Sequence, residues 1–246
     1  MEIYSAIEKR EEDYWRQQKA AAAKQHYKAR IKLCGLSREQ DITTANELAV
    51  DYIGFVFAPR SKRYVSHEQA ATLKKLLAPS IQAVGVFVDA APEEIVSLWR
   101  LGIIDVVQLH GHEDEDYIGH LRAHLASVAC ERFPDILATS MPPCPPIFKA
   151  FSVKSSADIT AAEASSADYL LLDEGAGGTG KCCDWELCAT CKRPYFLAGG
   201  LTPDNVTAAL SLLHPFAVDV SSGIESDGSK DLDKMRAFVT GVRSAS

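Results

Sequence analysis

From Arg30 onward the chain repeats one pattern: a short apolar, β-rich run, then a longer stretch with helical spacing of its apolar residues. The β-rich runs are Ile31–Cys34, Tyr52–Phe57, Ile81–Val88, Val106–Leu109, Ile147–Phe151, Tyr169–Leu172, Tyr195–Leu197 and Ala217–Val220. Helical patterns lie between and after them over Glu39–Ala49, His67–Leu77, Pro92–Arg100, Asp114–Leu125, Ser156–Ala164, Pro203–Leu212 and Leu232–Val242. Such alternation makes the strands parallel and the crossovers right-handed, because the chain must return across the sheet before adding the next strand. Eight strands in about 190 residues fit an α/β fold closed into a (β/α)8 TIM barrel, with a doubly wound open sheet as the competing arrangement. A length of 246 residues is within the reach of one barrel domain.

Two helix starts carry local signals. Ala91–Pro92–Glu93–Glu94 places a proline and two acids in a first turn, and Thr202–Pro203 predicts a capping hydroxyl before a first-turn proline. Residues 1–29 differ from the rest. Glu8 to Arg30 is rich in Glu, Lys, Arg, Gln and Ala and lacks Gly and Pro, a helix-forming composition. The expected organisation is an N-terminal helical extension over 1–29 and a barrel over 30–246. The extension packs on the outside or base of the barrel, or serves as a partner-binding helix.

The formal net charge of −7 argues against nucleic-acid or anionic-membrane surfaces, which require a basic stripe. No run of 18 apolar residues is present, and the first residues are charged and lack a signal-peptide core. The expected setting is the reducing cytoplasm, with the seven cysteines as thiols.

A barrel carries its chemistry at the C-terminal ends of its strands and in the loops that follow. Those positions hold Cys34–Gly35, Ser61–Lys62–Arg63, Asp89, Gln108–Leu109–His110–Gly111, Asp173, Gly199–Gly200 and Asp219 with Ser221–Ser222–Gly223. The loops after strands seven and eight form the recurrent phosphate site of such barrels. Gly199, Gly200, Ser221, Ser222 and Gly223 fall there, and Gly178–Thr179–Gly180 follows strand six. Glycine lets backbone N–H groups approach a dianion without a Cβ in the way. One Gly-Gly pair would signify only a tight turn; three glycine-bearing loops at adjacent strand ends favour phosphate.

Asp173 ends the apolar run Tyr169–Leu172, and an acid at a buried strand end beside a phosphate suits a general acid with a raised pKa. The alternative is a carboxylate capping the glycine loop. Cys34 is either a small buried hydrophobe or, at its strand end, a base whose pKa Lys32 or a helix N-terminus lowers. Arg63 is a candidate for planar, bidentate contact with a carboxylate, whereas Arg60 and Lys62 read as solvated loop charges. His110 either hydrogen-bonds a substrate or satisfies the barrel rim. Cys182, Cys183, Cys188 and Cys191 fall close together, but they lack the paired knuckles of a zinc site and read as adventitious thiols.

Several segments resemble the phosphoribosylanthranilate isomerase family. They are Lys32–Leu36, Gly54–Phe57 with Ser61–Val65, Val84–Val88, Val107–Gly111, Leu172–Asp173 with Gly177–Gly180, Asp184–Trp185, Leu197–Pro203, and Val218–Glu225 with Gly228, Lys230 and Asp231. The resemblance runs from Ile31 to the C-terminus. It implies a TIM-barrel enzyme of tryptophan biosynthesis, without metal or organic cofactor. The reaction it implies is an Amadori rearrangement of N-(5-phosphoribosyl)anthranilate to 1-(2-carboxyphenylamino)-1-deoxyribulose 5-phosphate. By the same resemblance Cys34 is the base, Asp173 the acid, and Arg63 the partner of the anthranilate carboxylate. Gly200, Ser222 and Gly223 become parts of the phosphate site, and Asp219 a polar substrate contact. Cys183 departs from the family's usual aromatic residue, and the N-terminal helix is extra. The competing readings are the related histidine-pathway isomerase and a non-catalytic barrel that binds a phosphorylated ligand. The former typically carries Asp at the position of Cys34 and needs a second phosphate cradle. Contact with a neighbouring pathway enzyme, or self-association, is an open expectation.

Overall fold

Each of the apolar runs becomes a strand flanked by two parallel neighbours, so no strand is left with an open edge. In the computed structural model, which describes residues 28–132, 144–173 and 184–245, the strands are β1 (Arg30–Cys34), β2 (Tyr52–Val56), β3 (Gln82–Phe87) and β4 (Val106–Leu109). They continue with β5 (Ile147–Ser152), β6 (Tyr169–Asp173), β7 (Tyr195–Leu197) and β8 (Ala217–Val220). They pair in chain order, and β1 closes on β8 with Lys32 opposite Asp219. The competing open sheet is thereby excluded.

Helices follow every strand: α1 (Glu39–Glu47), α2 (His67–Leu76), α3 (Pro92–Arg100), α4 (Glu115–Arg132), α5 (Ser156–Ala164), α6 (Trp185–Cys188), α7 (Val206–Leu212) and α8 (Leu232–Ser244). The amphipathic spacing explains which faces pack. Helix α3 buries Ile95, Val96, Leu98 and Trp99 behind Pro92 and the first-turn acids, as its sequence predicts. Helix α8 starts where Asp231 accepts hydrogen bonds from the backbone N–H groups of Asp233 (3.0 Å) and Lys234 (3.1 Å), and it buries Met235, Phe238, Val239 and Val242.

The period-two alternation of each strand separates two cores. Outward residues such as Leu33, Ile53, Phe87, Leu109, Leu172 and Leu197 meet the helices. Inward residues Tyr52, Phe148, Tyr169 and Phe196 fill the barrel near its floor, where Phe196 lies 4.6 Å from Phe148 between ring centroids and 5.5 Å from Tyr52. Above them Cys34, Val56 and Val86 form a smaller inner cluster toward the mouth.

Four details differ from the sequence expectations. Lys28 and Ala29 are not helical and Arg30 already belongs to β1, so helix-forming composition stops short of Arg30; residues 1–27 lie outside the described residues. Thr202 does not cap α7. The helix begins only at Val206, because Asn205 turns its side chain back to accept from the Thr202 N–H (2.8 Å) and donate to the Gly200 carbonyl (2.9 Å). The one-turn α6 and a hairpin of β9 (Glu225–Ser226) and β10 (Ser229–Lys230) were not legible as elements. The hairpin turns at Asp227 and Gly228, both with positive φ (51° and 80°), the pairing that an Asp-Gly type I′ turn requires.

Phe196 is fully buried against four aromatic rings. Phe196→Ala is expected to lower unfolding free energy by about 3–5 kcal/mol, measured by denaturant unfolding of both proteins. A loss near zero would mean that the floor of the barrel is not packed as described.

Candidate active site

The same alternation that sends aromatic rings to the floor sends Cys34, Asp173, Asp219 and Gln108 to the mouth. They border a cavity of about 420 Å³, together with Arg63, His110, Gly199, Gly200, Ser221 and Ser222. Of the residues singled out from the sequence, Gly223 lies just behind this lining and Gly178 lies outside the described residues, as do Cys182 and Cys183. Arg60 is exposed at the cavity's edge, consistent with a solvated loop charge beside the opening.

Cys34 is buried at the end of β1. Its side chain has room because Gly54 stands opposite on β2: a Cβ there would come within 2.7 Å of Cys34 Sγ. Burial pushes the thiol above its ordinary value; Lys32 pulls the other way, Asp219 raises it further and Lys230 lowers it. The expectation that Lys32 brings the thiol below its ordinary value is therefore corrected, since desolvation outweighs the cation. Gly35 follows with φ +77°, and Arg63 packs so closely that a Cβ would lie 2.5 Å from its Cδ.

On the opposite wall, Asp173 ends β6 and His110 Nε2 stands 3.9 Å from its Oδ2. His110 is held below its ordinary pKa, first by burial and then by the charges of Lys32 and Lys149, so the ring is neutral near pH 7. Gln108 Nε2 donates to His110 Nδ1 (3.1 Å), which leaves the proton on Nε2, facing Asp173 and the cavity. Two buried oxygens at the mouth have no hydrogen-bond partner among the described residues, Gln108 Oε1 and Asp219 Oδ1. Buried acceptors are normally satisfied, so both point to a ligand rich in hydroxyl or N–H groups.

The loops after β7 and β8 meet. Gly199 and Gly200 have φ of +79° and +62°, and a Cβ on Gly223 would fall 1.8 Å from the Leu201 carbonyl oxygen. Only glycine allows that approach. A short 3-10 turn, Ser222–Ile224, carries the second loop. Lys230 Nζ secures it by donating to the Ser221 carbonyl (2.8 Å), and Ser221 Oγ donates to the Cys34 carbonyl (3.1 Å). The loop after β8 and the strand bearing Cys34 are thus tied together.

Arg63 differs from expectation in one respect. Its Nε (2.5 Å) and Nη2 (3.0 Å) already form a fork with Glu225, which also receives Lys230 Nζ (2.8 Å) and Lys62 Nζ (3.3 Å). A ligand carboxylate would meet the remaining N–H groups of the guanidinium. Glu225 and Lys230 were not put forward from the sequence as site residues, while Gln108 was noted only as a polar strand end and Lys32 only as a neighbour of Cys34. The Asp227–Gly228 turn was the available signal for the first two, because its hairpin pairs Lys230 with Glu225.

A sequence profile of the family described as N-(5'phosphoribosyl)anthranilate (PRA) isomerase matches residues 31–241. The chain is 41% identical over 219 residues to N-(5'-phosphoribosyl)anthranilate isomerase of Endomicrobium trichonymphae, spanning 87% of this chain and 98% of the relative. It is 38% identical over 216 residues to the enzyme of Clostridium kluyveri (strain ATCC 8527 / DSM 555 / NBRC 12016 / NCIMB 10680 / K1), with the same coverage. The chain belongs to the phosphoribosylanthranilate isomerase family. Among solved structures, phosphoribosyl anthranilate isomerase from Thermus thermophilus superposes with a TM-score of 0.73 at 30% identity, covering 88% of this chain and 100% of that one. Another, in complex with reduced 1-(o-carboxyphenylamino)-1-deoxyribulose 5-phosphate, gives 0.72 at 31% identity, covering 88% and 99%. The protein is accordingly an isomerase of tryptophan biosynthesis that converts N-(5-phosphoribosyl)anthranilate to 1-(2-carboxyphenylamino)-1-deoxyribulose 5-phosphate, a phosphorylated small-molecule reaction. Among the described residues no helix is long and apolar enough to cross a membrane.

The Arg63–Glu225 fork generates a pH prediction for this isomerase. Burial works against the Glu225 carboxylate, but Arg63 and Lys230 together bring it from its ordinary 4.5 down to about 2. A carboxyl whose pKa is depressed on folding adds stability that is complete above its unfolded value and is lost as pH falls through the folded one. The melting temperature of Glu225→Gln should therefore fall less between pH 4.5 and 2 than that of the unaltered protein. Parallel curves over that interval would refute the assignment.

Proposed function

We propose that Cys34 is the general base and Asp173 the general acid of the rearrangement. The observation that carries this reading is their common cavity: both line it, with Asp219 and the two glycine-bearing phosphate loops. Protonated Asp173 donates to the ribose ring oxygen, the C1–oxygen bond breaks, and the anilino nitrogen becomes part of a protonated Schiff base. Cys34 thiolate takes the proton from C2, and the C2 electron pair forms the C1–C2 double bond as the nitrogen recovers its pair. The resulting enolamine tautomerises to the ketone, moving a proton from the C2 hydroxyl to C1. One acid and one base suffice because the nitrogen is the electron sink.

The other residues bind. Gly178, Gly199, Gly200, Ser221, Ser222 and Gly223 cradle the phosphate, Arg63 meets the anthranilate carboxylate, and Asp219 and His110 contact the sugar through Asp219 Oδ1 and the His110 Nε2–H. Gly178 joins this set on the strength of its motif alone. The resting thiol lies above its ordinary pKa, so the thiolate fraction grows with pH. Because the reaction needs Asp173 protonated and Cys34 ionised at the same time, the free-enzyme profile of kcat/KM should be bell-shaped, and a profile without an acid or a basic limb would contradict the pair.

Cys34→Ala and Asp173→Ala are each expected to lower turnover by about 10²–10⁴-fold while substrate binding persists. Loss of phosphoribosylanthranilate fluorescence follows turnover, and near-normal rates in either variant would rule out the assignment. The same assay rejects a non-catalytic ligand-binding barrel, which would bind without turnover.

The proposal extends to setting and assembly. The protein works in the cytoplasm, the residues before 30 are an extension to the 30–246 barrel, and the chain self-associates or contacts a neighbouring pathway enzyme. The Thermotoga maritima relative is described as dimeric, which supports the first form of association.

A further inference from the structure

One side chain in the barrel interior is not accounted for by packing or by the acid and base already named. Lys32 is fully buried, the largest of the wholly enclosed side chains. It sits two residues before Cys34 on the same inward face of β1 and directly opposite Asp219 on β8. Its Nζ donates to Asp219 Oδ2 at 2.9 Å, and that carboxylate is itself buried. The second oxygen, Asp219 Oδ1, is enclosed and has no hydrogen-bond partner among the described residues, and Asp219 borders the cavity.

Stability does not explain this pair. Replacing a buried ion pair with well-packed aliphatic residues is commonly neutral or stabilising, because the desolvation of two charges offsets their attraction. Position does explain it. A lysine fixed on Oδ2 holds the Asp219 carboxyl group in one orientation at the cavity wall, with Oδ1 left for another partner. The same fixed positive charge acts on Cys34 and, across the mouth, on His110.

We propose that Lys32 is a positioning residue for the rearrangement: it aims Asp219 Oδ1 at the substrate and provides the cation against which the Cys34 thiolate forms. The inference deepens the proposed function and rests on Cys34 being the base. The charged and titratable groups facing Cys34 are Lys32, Asp219 and Lys230; those around Lys32 are Asp219, Cys34 and His110.

The test is Lys32→Met, which keeps length and removes charge, with two readouts. Alkylation of Cys34 by iodoacetamide is followed against pH by peptide mass mapping, and kcat and KM are measured by the fluorescence assay. The expected result is a Cys34 reactivity curve displaced to higher pH, kcat reduced at least tenfold, and partial recovery of both in Lys32→Arg. Lys32→Met leaves Asp219 buried without its cation, so Lys32→Met/Asp219→Asn is measured beside it as a variant with neither charge. Its thiol curve should also move up, because Lys32 acts on Cys34 more strongly than Asp219 does. A thiol curve that stays in place while turnover falls would overturn the role of Lys32 and leave Cys34 as base. A displaced curve with unchanged turnover would instead overturn Cys34 as the base.

Discussion

Everything at the mouth of this barrel depends on closure of β1 against β8 in one register, with Lys32 opposite Asp219. In a closed parallel sheet each strand has a neighbour on both sides, and the two-residue period then decides which side chains face inward. Moving the pairing by one residue would turn Cys34 toward the helices and Leu33 toward the substrate. The buried ion pair at the seam makes such a slip costly: a charge left without its partner in that interior destabilises a protein by about 3–5 kcal/mol. The aromatic floor below, built from Tyr52, Phe148, Tyr169 and Phe196, supports the layer above it without providing chemistry.

A second set of buried charges secures the loops. Lys149 on β5 donates to Glu113 (2.8 Å) and to the Gly111 carbonyl (2.8 Å), while Glu113 accepts from the backbone of Asp89 and Gly111. This ties the segments after β3 and β4 to β5 and holds the stretch that carries His110. Across the mouth, Lys230 binds Ser221 and Glu225, and Glu225 holds Arg63. The groups proposed to meet the substrate's phosphate, sugar and carboxylate are thus held by hydrogen bonds and ion pairs before any ligand arrives. Binding then requires little ordering of side chains, and orientation is set before the chemistry begins.

The residues proposed for proton transfer were legible to different degrees. Asp173 stood out physically as an acid ending the run Tyr169–Leu172 beside glycine loops, with capping of the glycine loop as its alternative use. Cys34 did not; its role came from the resemblance around Lys32–Cys34–Gly35, and burial in the structure raises its pKa where the sequence suggested lowering. Arg63 was identified as an anion-binding group, but its fork is shared with Glu225, a residue 162 positions away. The hairpin that delivers Glu225 and Lys230 has strands of only two residues, too short for any alternation to register, although Asp227–Gly228 marked its turn.

By itself the sequence determined the eight barrel strands and every barrel helix but α6, the parallel pairing, and the polar residues at each strand end. Those follow from local rules: hydrophobic period, turn chemistry and the position of residues along a strand. Tertiary structure decided what closure brings together from distant segments. It placed Gly54 where it leaves space for the Cys34 thiol, set Gly223 against Leu201, put Asn205 behind Gly200, and buried Lys32 on Asp219. No hydrophobic period encodes these contacts: Gly54 meets Cys34 only when β2 pairs with β1, Gly223 meets Leu201 only when the loops after β7 and β8 converge, and Lys32 meets Asp219 only when the eighth strand pairs with the first.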